Sequence, residues 1–219
     1  MSNEDKSVVV IGAGPGGYAA AFYAADIGMN VTMIDPEENP GGVCLYRGCI
    51  PSKALLHVAK LIHESQESKN WGVTFSKPKI DLDKLRSFKD DVVKRLTGGT
   101  GQLAKQRKIE HIHGKAVFKN NKTLKVTKND GDNMELEFEN VIIATGSRPT
   151  IIKDLWIDSD RLLDSSGALD LPDIPKNMLV IGGGYIGLEM GTVYASLGTD
   201  ITVVEMLPSI LPGADKDLV

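Results

Sequence analysis

The sequence predicts an α/β protein: a doubly wound parallel sheet with an antiparallel meander, followed by the start of a second unit of the same kind. Three observations carry this. First, Val8-Val-Val-Ile-Gly-Ala-Gly-Pro-Gly-Gly17 returns as Met178-Leu-Val-Ile-Gly-Gly-Gly-Tyr-Ile-Gly187, with 170 positions separating Gly12 from Gly182. Second, each copy follows an apolar run rich in β-branched residues and precedes a helical stretch, which is the order of a parallel strand–helix–strand unit. Third, Val117–Phe138 alternates apolar and polar residues around two Asn-rich turns, Lys119–Lys122 and Asn129–Asn133, the pattern of a small meander.

Taken in order, Val8–Ile11 and Leu179–Ile181 read as buried parallel strands. In each glycine loop the first glycine (Gly12, Gly182) allows the tight turn. The second (Gly14, Gly184) lets a pyrophosphate approach the backbone, and the third (Gly17, Gly187) lets helix and strand pack closely. Tyr18–Ile27 and Leu188–Leu197 read as helices, with Gly28 and Gly198 suited to the left-handed position that ends them. Asp35 and Glu205 close the second strands, where a carboxylate can accept hydrogen bonds from a ribose 2′-OH and repels a 2′-phosphate. The repeat therefore predicts two dinucleotide sites, with Glu205 favouring NAD over NADP. Residues 84–108 carry eight basic and two acidic side chains and read as two helices broken at Gly98-Gly-Thr-Gly101. His111 and His113 share one face of a strand but lack further ligands for a metal, and His57 and His63 fall on the surface of a helix.

Composition narrows the function classes. The 219 residues are 42% apolar and 25% charged, which fits neither a disordered chain nor a membrane span. A net charge of −4 leaves no basic excess for nucleic acid or anionic membranes. No apolar run nears the ~20 residues that cross a bilayer. The acidic opening Met1–Asp5 and the break at Gly12 leave no legible signal peptide, so a cytoplasmic location is expected.

The only two cysteines, Cys44 and Cys49, lie in Gly41-Gly-Val-Cys-Leu-Tyr-Arg-Gly-Cys-Ile-Pro-Ser-Lys-Ala-Leu-Leu56. Three readings are open: two small buried side chains, a metal site short of its four ligands, or a reversible disulfide. Gly42 and Gly48 give the backbone freedom to close a small ring, and Pro51 marks a helix start. That start and Lys53, one turn on, are the surroundings that favour a thiolate at Cys49.

This segment resembles the redox-active signature of the dihydrolipoamide dehydrogenases, members of the flavoprotein disulfide reductase family. The resemblance runs along the chain through Leu96-Thr-Gly-Gly99, Ile142-Ile-Ala-Thr-Gly-Ser-Arg-Pro149 and Gly182–Gly191. It implies that residues 1–150 form an FAD-binding domain with the redox cysteines. It further implies that 151–219 are a linker and the first part of an NAD-binding Rossmann domain, with a C-terminal dimerisation domain beyond. FAD would be held by Gly12, Gly14, Gly17, Asp35, Gly42, Cys44, Lys53, Gly114, Ala116, Ala144, Thr145 and Gly146. NAD would be held by Gly182, Gly184, Gly187 and Glu205.

By the same resemblance, Cys44 is the interchange thiol and Cys49 the flavin-side thiol, both catalytic. Lys53 pairs with Glu189 beside the flavin, with Glu189 expected in the first turn of its helix, and Tyr185 covers the flavin face where nicotinamide stacks. The implied reaction oxidises dihydrolipoamide to lipoamide and reduces NAD to NADH, with lipoyl domains of α-keto-acid dehydrogenase complexes as partners and a homodimer as the working form. The family's histidine base belongs to the C-terminal domain, and no segment here matches it. The end, Leu211–Val219, reads as the beginning of a helix, so the chain is expected to be the N-terminal portion of a longer reductase, weak in FAD retention and without lipoamide turnover alone. Mercuric or another disulfide reductase, or a non-catalytic FAD-binding module, are the alternatives.

Overall fold

The structure, a computed structural model, describes residues 7–219, so the acidic opening lies outside the described residues. In chain order the elements are β1 (Ser7–Ile11), α1 (Pro15–Asp26), β2 (Asn30–Asp35), α2 (Gly42–Arg47), α3 (Cys49–Glu67), α4 (Leu82–Gln106), β3 (Glu110–Phe118), β4 (Thr123–Lys128), β5 (Asn133–Glu137) and β6 (Asn140–Ile143). They continue with α5 (Ser165–Leu169), β7 (Asn177–Ile181), α6 (Tyr185–Leu197) and β8 (Asp200–Val204). No helix among the described residues is long and apolar enough to cross a membrane.

Two compact units result, and they do not follow chain order. One gathers the described residues up to Tyr46 with Val93–Arg148; the other joins Arg47–Val92 to Pro149–Val219. The stretch Arg47–Val92 thus groups with the later part of the chain rather than with its neighbours in sequence.

The first unit is a six-stranded sheet in the order β5-β4-β3-β2-β1-β6. β3, β2, β1 and β6 run parallel, and β4 and β5 join antiparallel as the expected meander. Alternate residues of β1 build two cores. Val8 and Val10 face α1 and the end of α4, packing on Ala21, Ala24 and Ala104. Val9 and Ile11 face the other way, onto Leu124, Val126 and Met134 of the meander. Helices therefore cover one face, and the curled meander covers the face where a doubly wound sheet would carry a second helical layer.

The hinge of that curl is Gly114. β3 runs past His113 to Phe118. His113 is the last residue paired parallel to β2, and Gly114 the first paired antiparallel to β4. A Cβ at Gly114 would lie 2.5 Å from the Thr127 carbonyl oxygen, so only glycine lets the strands close here.

The expected break in residues 84–108 is also absent, because α4 is one continuous helix. Its glycines lower intrinsic helicity, but tertiary contacts outweigh that preference. Thr97 is buried and returns its hydroxyl to the Val93 carbonyl, while Thr100 donates to Pro40 and Thr97 carbonyls. A Cβ at Gly101 would fall 2.0 Å from Asn39 Oδ1, so this glycine serves close approach, not a turn.

In the second unit α3, α5 and α6 enclose a core of Leu55, Leu85, Leu169, Leu171, Val193 and Tyr194, with β7 and β8 as a parallel pair. Three polar side chains secure the end of α5. Lys89 donates to the Leu169 carbonyl, Arg86 to those of Leu171 and Pro172, and Tyr194 to that of Ala168. Burial is the main reason the Tyr194 phenol is pushed up to about 12, so it remains a donor throughout the stable range.

Glycines in open space and glycines against backbone differ in what a side chain would meet. Gly99→Ala, where nothing lies within 4 Å of the new Cβ, should stabilise the protein by about 0.5–1 kcal/mol. Gly114→Ala, which meets backbone, should destabilise it by about 1–3 kcal/mol. Urea unfolding of the two variants checks both signs.

Candidate functional site: two glycine loops and a buried-anchored ion pair

In the first unit β1 ends at Ile11, and Gly12 turns the chain with φ +98°. Pro15 then opens α1, its missing N–H being one the first turn does not need. A Cβ at Gly17 would sit 1.8 Å from the Gly12 carbonyl oxygen, which makes the third glycine obligatory for the helix to lie on the turn. The start of α1 has no side-chain cap and no acidic residue in its first turn, and a Cβ at Gly16 would meet only open space. Free N–H groups at the positive end of a helix, approachable by a ligand, fit a pyrophosphate. Buried Asp35 accepts from Ala13 N–H at 2.7 Å and from Glu37 N–H at 2.9 Å. Those two bonds leave carboxylate lone pairs that suit ribose hydroxyls. Gly42, with φ +55°, starts α2 against the same loop, since a Cβ there would lie 2.5 Å from Gly14 Cα. Ala144 hydrogen-bonds the end of β1 at 2.8 Å, and Thr145 and Gly146 follow in the loop after β6.

The structure thus gathers Gly12, Gly14, Gly17, Asp35, Gly42 and Ala144 around the ends of β1, β2 and β6. Gly114 and Ala116 stand on β3, where Ala116 packs into the second core layer with Leu124 and Val126. On the same strand the His111 imidazole is lowered to about 4, first by burial and then by the His113 charge.

The second unit repeats the loop. Gly182 has φ +103°, Gly184 precedes an uncapped α6 with no acid in its first turn, and a Cβ at Gly187 would lie 2.4 Å from the Gly182 carbonyl oxygen. Glu205 Oε2 accepts from Gly183 N–H at 2.7 Å and Oε1 from Leu207 N–H at 2.8 Å. These are the counterparts of the two Asp35 bonds, residue for residue along the repeat. The N–H groups of Leu207 and Gly183 hold the Glu205 carboxyl below its ordinary 4.5. Its hold on the loop is therefore present at neutral pH and lost only as pH falls through that lowered value. Tyr185 is the first residue of α6 and is 70% exposed. With Gly184, Ile186 and Ile181 it borders a cavity of about 500 Å³ that Trp156 and Leu162 also line.

Glu189 corrects one expectation. α6 begins at Tyr185, which puts Glu189 in the second turn, beyond the reach of the helix's free N–H groups. Its charge is met instead from α3: Lys53 Nζ donates to Oε1 at 2.6 Å and Ser52 Oγ donates to Oε2 at 2.5 Å. Burial pushes the Glu189 carboxyl up, but the Lys53 and Ser52 hydrogen bonds and the Lys53 charge outweigh it and set it below the ordinary value. Sequence reasoning passed over Ser52. The signal was there: Ser52, Leu55 and Ala59 share the buried stripe of α3, and a hydroxyl on such a stripe needs a partner.

Cys49 is the first residue of α3, preceded by Gly48 without a side-chain cap, with Pro51 at the third position. The helix starts two residues earlier than Pro51 suggested. Cys44 lies within α2 and is half-buried, while Cys49 is exposed. His57 and His63 are exposed on α3, the latter facing Glu67 at 3.3 Å.

Two parallel strand pairs in separate sheets, each ending in an uncapped glycine loop backed by a carboxylate from the second strand, mark an α/β protein of the dinucleotide-binding class. Residues 6–219 match the family model described as pyridine nucleotide-disulphide oxidoreductase. Dihydrolipoyl dehydrogenase of Haemophilus influenzae is 49% identical over 220 residues, covering all of this chain and 46% of that protein. The mitochondrial dihydrolipoyl dehydrogenase 2 of Arabidopsis thaliana is 42% identical, covering 99% of this chain and 43% of that protein. The Cu(II) complex of the HOCl-induced flavoprotein disulfide reductase RclA from Escherichia coli superposes with a TM-score of 0.77 at 30% identity, covering 96% of this chain and 44% of that one. The chain belongs to the pyridine nucleotide-disulphide oxidoreductase family, and it spans about half the length of the relatives it matches.

The matched pairs of loop bonds give a direct check. Asp35→Ala should speed amide exchange at Ala13 and Glu37 roughly tenfold by removing charge-assisted bonds, while Gly183 and Leu207 keep their rates. Glu205→Ala should do the reverse. Amide hydrogen exchange followed by NMR reads both variants.

Proposed function

We propose that this chain is the nucleotide-binding and redox-cysteine part of a dihydrolipoyl dehydrogenase, which oxidises dihydrolipoamide to lipoamide and reduces NAD to NADH. The observation that carries the reading is the placing of Cys49 at the head of α3, one turn before the residues that hold Glu189 at the second glycine loop. The names of the relatives at 42–49% identity support the substrate, and Glu205 at the end of β8 supports NAD over NADP. Residues 1–150 hold FAD and 151–219 begin the NAD domain. The partners are lipoyl domains of α-keto-acid dehydrogenase complexes, and the enzyme works as a cytoplasmic homodimer whose remaining domain supplies the base.

The first loop fits FAD. Its N–H groups at Gly14, Gly16 and Gly17 would take the pyrophosphate, and Asp35 the ribose, with Ala144–Gly146 beside them and Gly114 and Ala116 further along β3. In the oxidised enzyme Cys44 and Cys49 share a disulfide. A substrate thiolate attacks Cys44 Sγ, the S–S bond breaks, and Cys49 leaves as a thiolate. The second substrate thiol, deprotonated, closes on the first substrate sulfur and expels Cys44. Substrate is now a cyclic disulfide, and its two electrons rest on the cysteine pair. When bound, FAD supplies the acceptor that relays those electrons to NAD. With flavin bound, Lys53 would supply a positive charge beside it, Glu189 holds that lysine, and Tyr185 would cover the flavin face where nicotinamide stacks.

In the full-length protein Cys44→Ser and Cys49→Ser should each cut dihydrolipoamide–NAD turnover by about a thousandfold or more while flavin stays bound. Steady-state NADH formation with dihydrolipoamide is the assay. Wild-type protein inert toward dihydrolipoamide, yet fast in NADPH-dependent reduction of another disulfide or Hg(II), would overturn the substrate assignment.

A further inference from the structure

The Lys53–Glu189 pair is an unusual surface contact. Lys53 is 62% exposed at its side chain, and an exposed lysine–carboxylate pair ordinarily keeps no single geometry, because both long side chains retain rotamer freedom. Here one carboxylate oxygen is anchored from below. Ser52 is 5% exposed and is buried on α3 along with Pro51, Ala54 and Leu55, and its short side chain has few rotamers to lose. With its hydroxyl on Oε2, the carboxylate has less room to turn, and the positions open to Oε1 narrow. Lys53, the next residue on the same helix, then meets an acceptor whose place is set before it arrives. Glu189 in turn lies two residues past Gly187, whose lack of a side chain lets α6 lie on the second glycine loop. One serine hydroxyl thereby ties the cysteine-bearing helix to that loop through a single carboxylate.

We propose that Ser52 is a positioning residue, whose hydroxyl orients Glu189 so that the Lys53 ammonium is held in one place at the start of α6. Its bearing on electron transfer rests on the disulfide-reductase reading above; the orientation of Glu189 does not.

The test separates the two. The Glu189 side-chain carboxyl is titrated by carbon NMR in this 219-residue chain, with Ser52, Ser52→Ala and Ser52→Thr compared. Loss of the hydroxyl should move the Glu189 midpoint upward, since one of the hydrogen bonds that lowers it is gone, and threonine should return it toward the wild-type value. A general loss of packing would lower thermal stability without shifting that midpoint selectively or being rescued by threonine. If Ser52→Ala fails to fold by circular dichroism, Ser52→Cys, close in volume but a weaker donor, should show the same upward shift. An unmoved midpoint in the folded variant would overturn the proposal. In the full-length holoenzyme Ser52→Ala should lower kcat by up to about 100-fold with KM for dihydrolipoamide unchanged. A shifted midpoint with an unchanged kcat would uphold the orientation of Glu189 and contradict the reductase role given to the pair.

Discussion

The approach of a helix onto the turn that precedes it governs both units. At Gly17 a Cβ would stand 1.8 Å from the Gly12 carbonyl oxygen, and at Gly187 it would stand 2.4 Å from that of Gly182. No side chain can occupy those points, and each helix begins two residues earlier with no side-chain cap at its start. From this follow the left-handed first glycines and the absence of any capping side chain. The two carboxylates, Asp35 and Glu205, reach back from the neighbouring strands to hold the loops. The uncapped helix starts that suit an anion thus come with how tightly strand and helix are packed, not as an addition to a finished fold.

The second organising feature is polar and sits in the second unit. Glu189 is too far along α6 to be stabilised by the helix terminus, and α3 meets it with one buried hydroxyl and one ammonium. The same unit contains Arg86, Lys89 and Tyr194, which meet the carbonyls at the end of α5. An apolar interior of leucines, a valine and a tyrosine supplies the bulk of the burial, and these few donors decide where its helices come to rest.

Much of this was legible because it is local. The repeat at 170 positions encodes loop, helix stop and terminal acid within about 25 residues each, and every one of those features depends on near neighbours. The meander was legible from its period of two. What escaped depends on residues remote in sequence. The glycines at 98–101 imply a broken helix until Asn39 and Pro40 are known to lie against them. Gly114 looks like the end of a strand, and only the arrival of β4 shows why it is a change of partner. Glu189 was assigned to a first turn because the start of α6 was placed three residues late. Ser52 was overlooked because a serine beside a lysine gives no sign of its partner 137 positions away. For the same reason, no local pattern announces that Arg47–Val92 packs with Pro149–Val219.

The central claim is that each glycine loop receives one dinucleotide, FAD at the first and NAD at the second. Amide NMR spectra of the chain titrated separately with FAD and with NADH test it most directly. The account predicts saturable shifts at Ala13–Gly17 and Asp35 with FAD, and at Gly183–Gly187 and Glu205 with NADH. Shifts absent from both loops, or the same loop answering to both nucleotides, would contradict it.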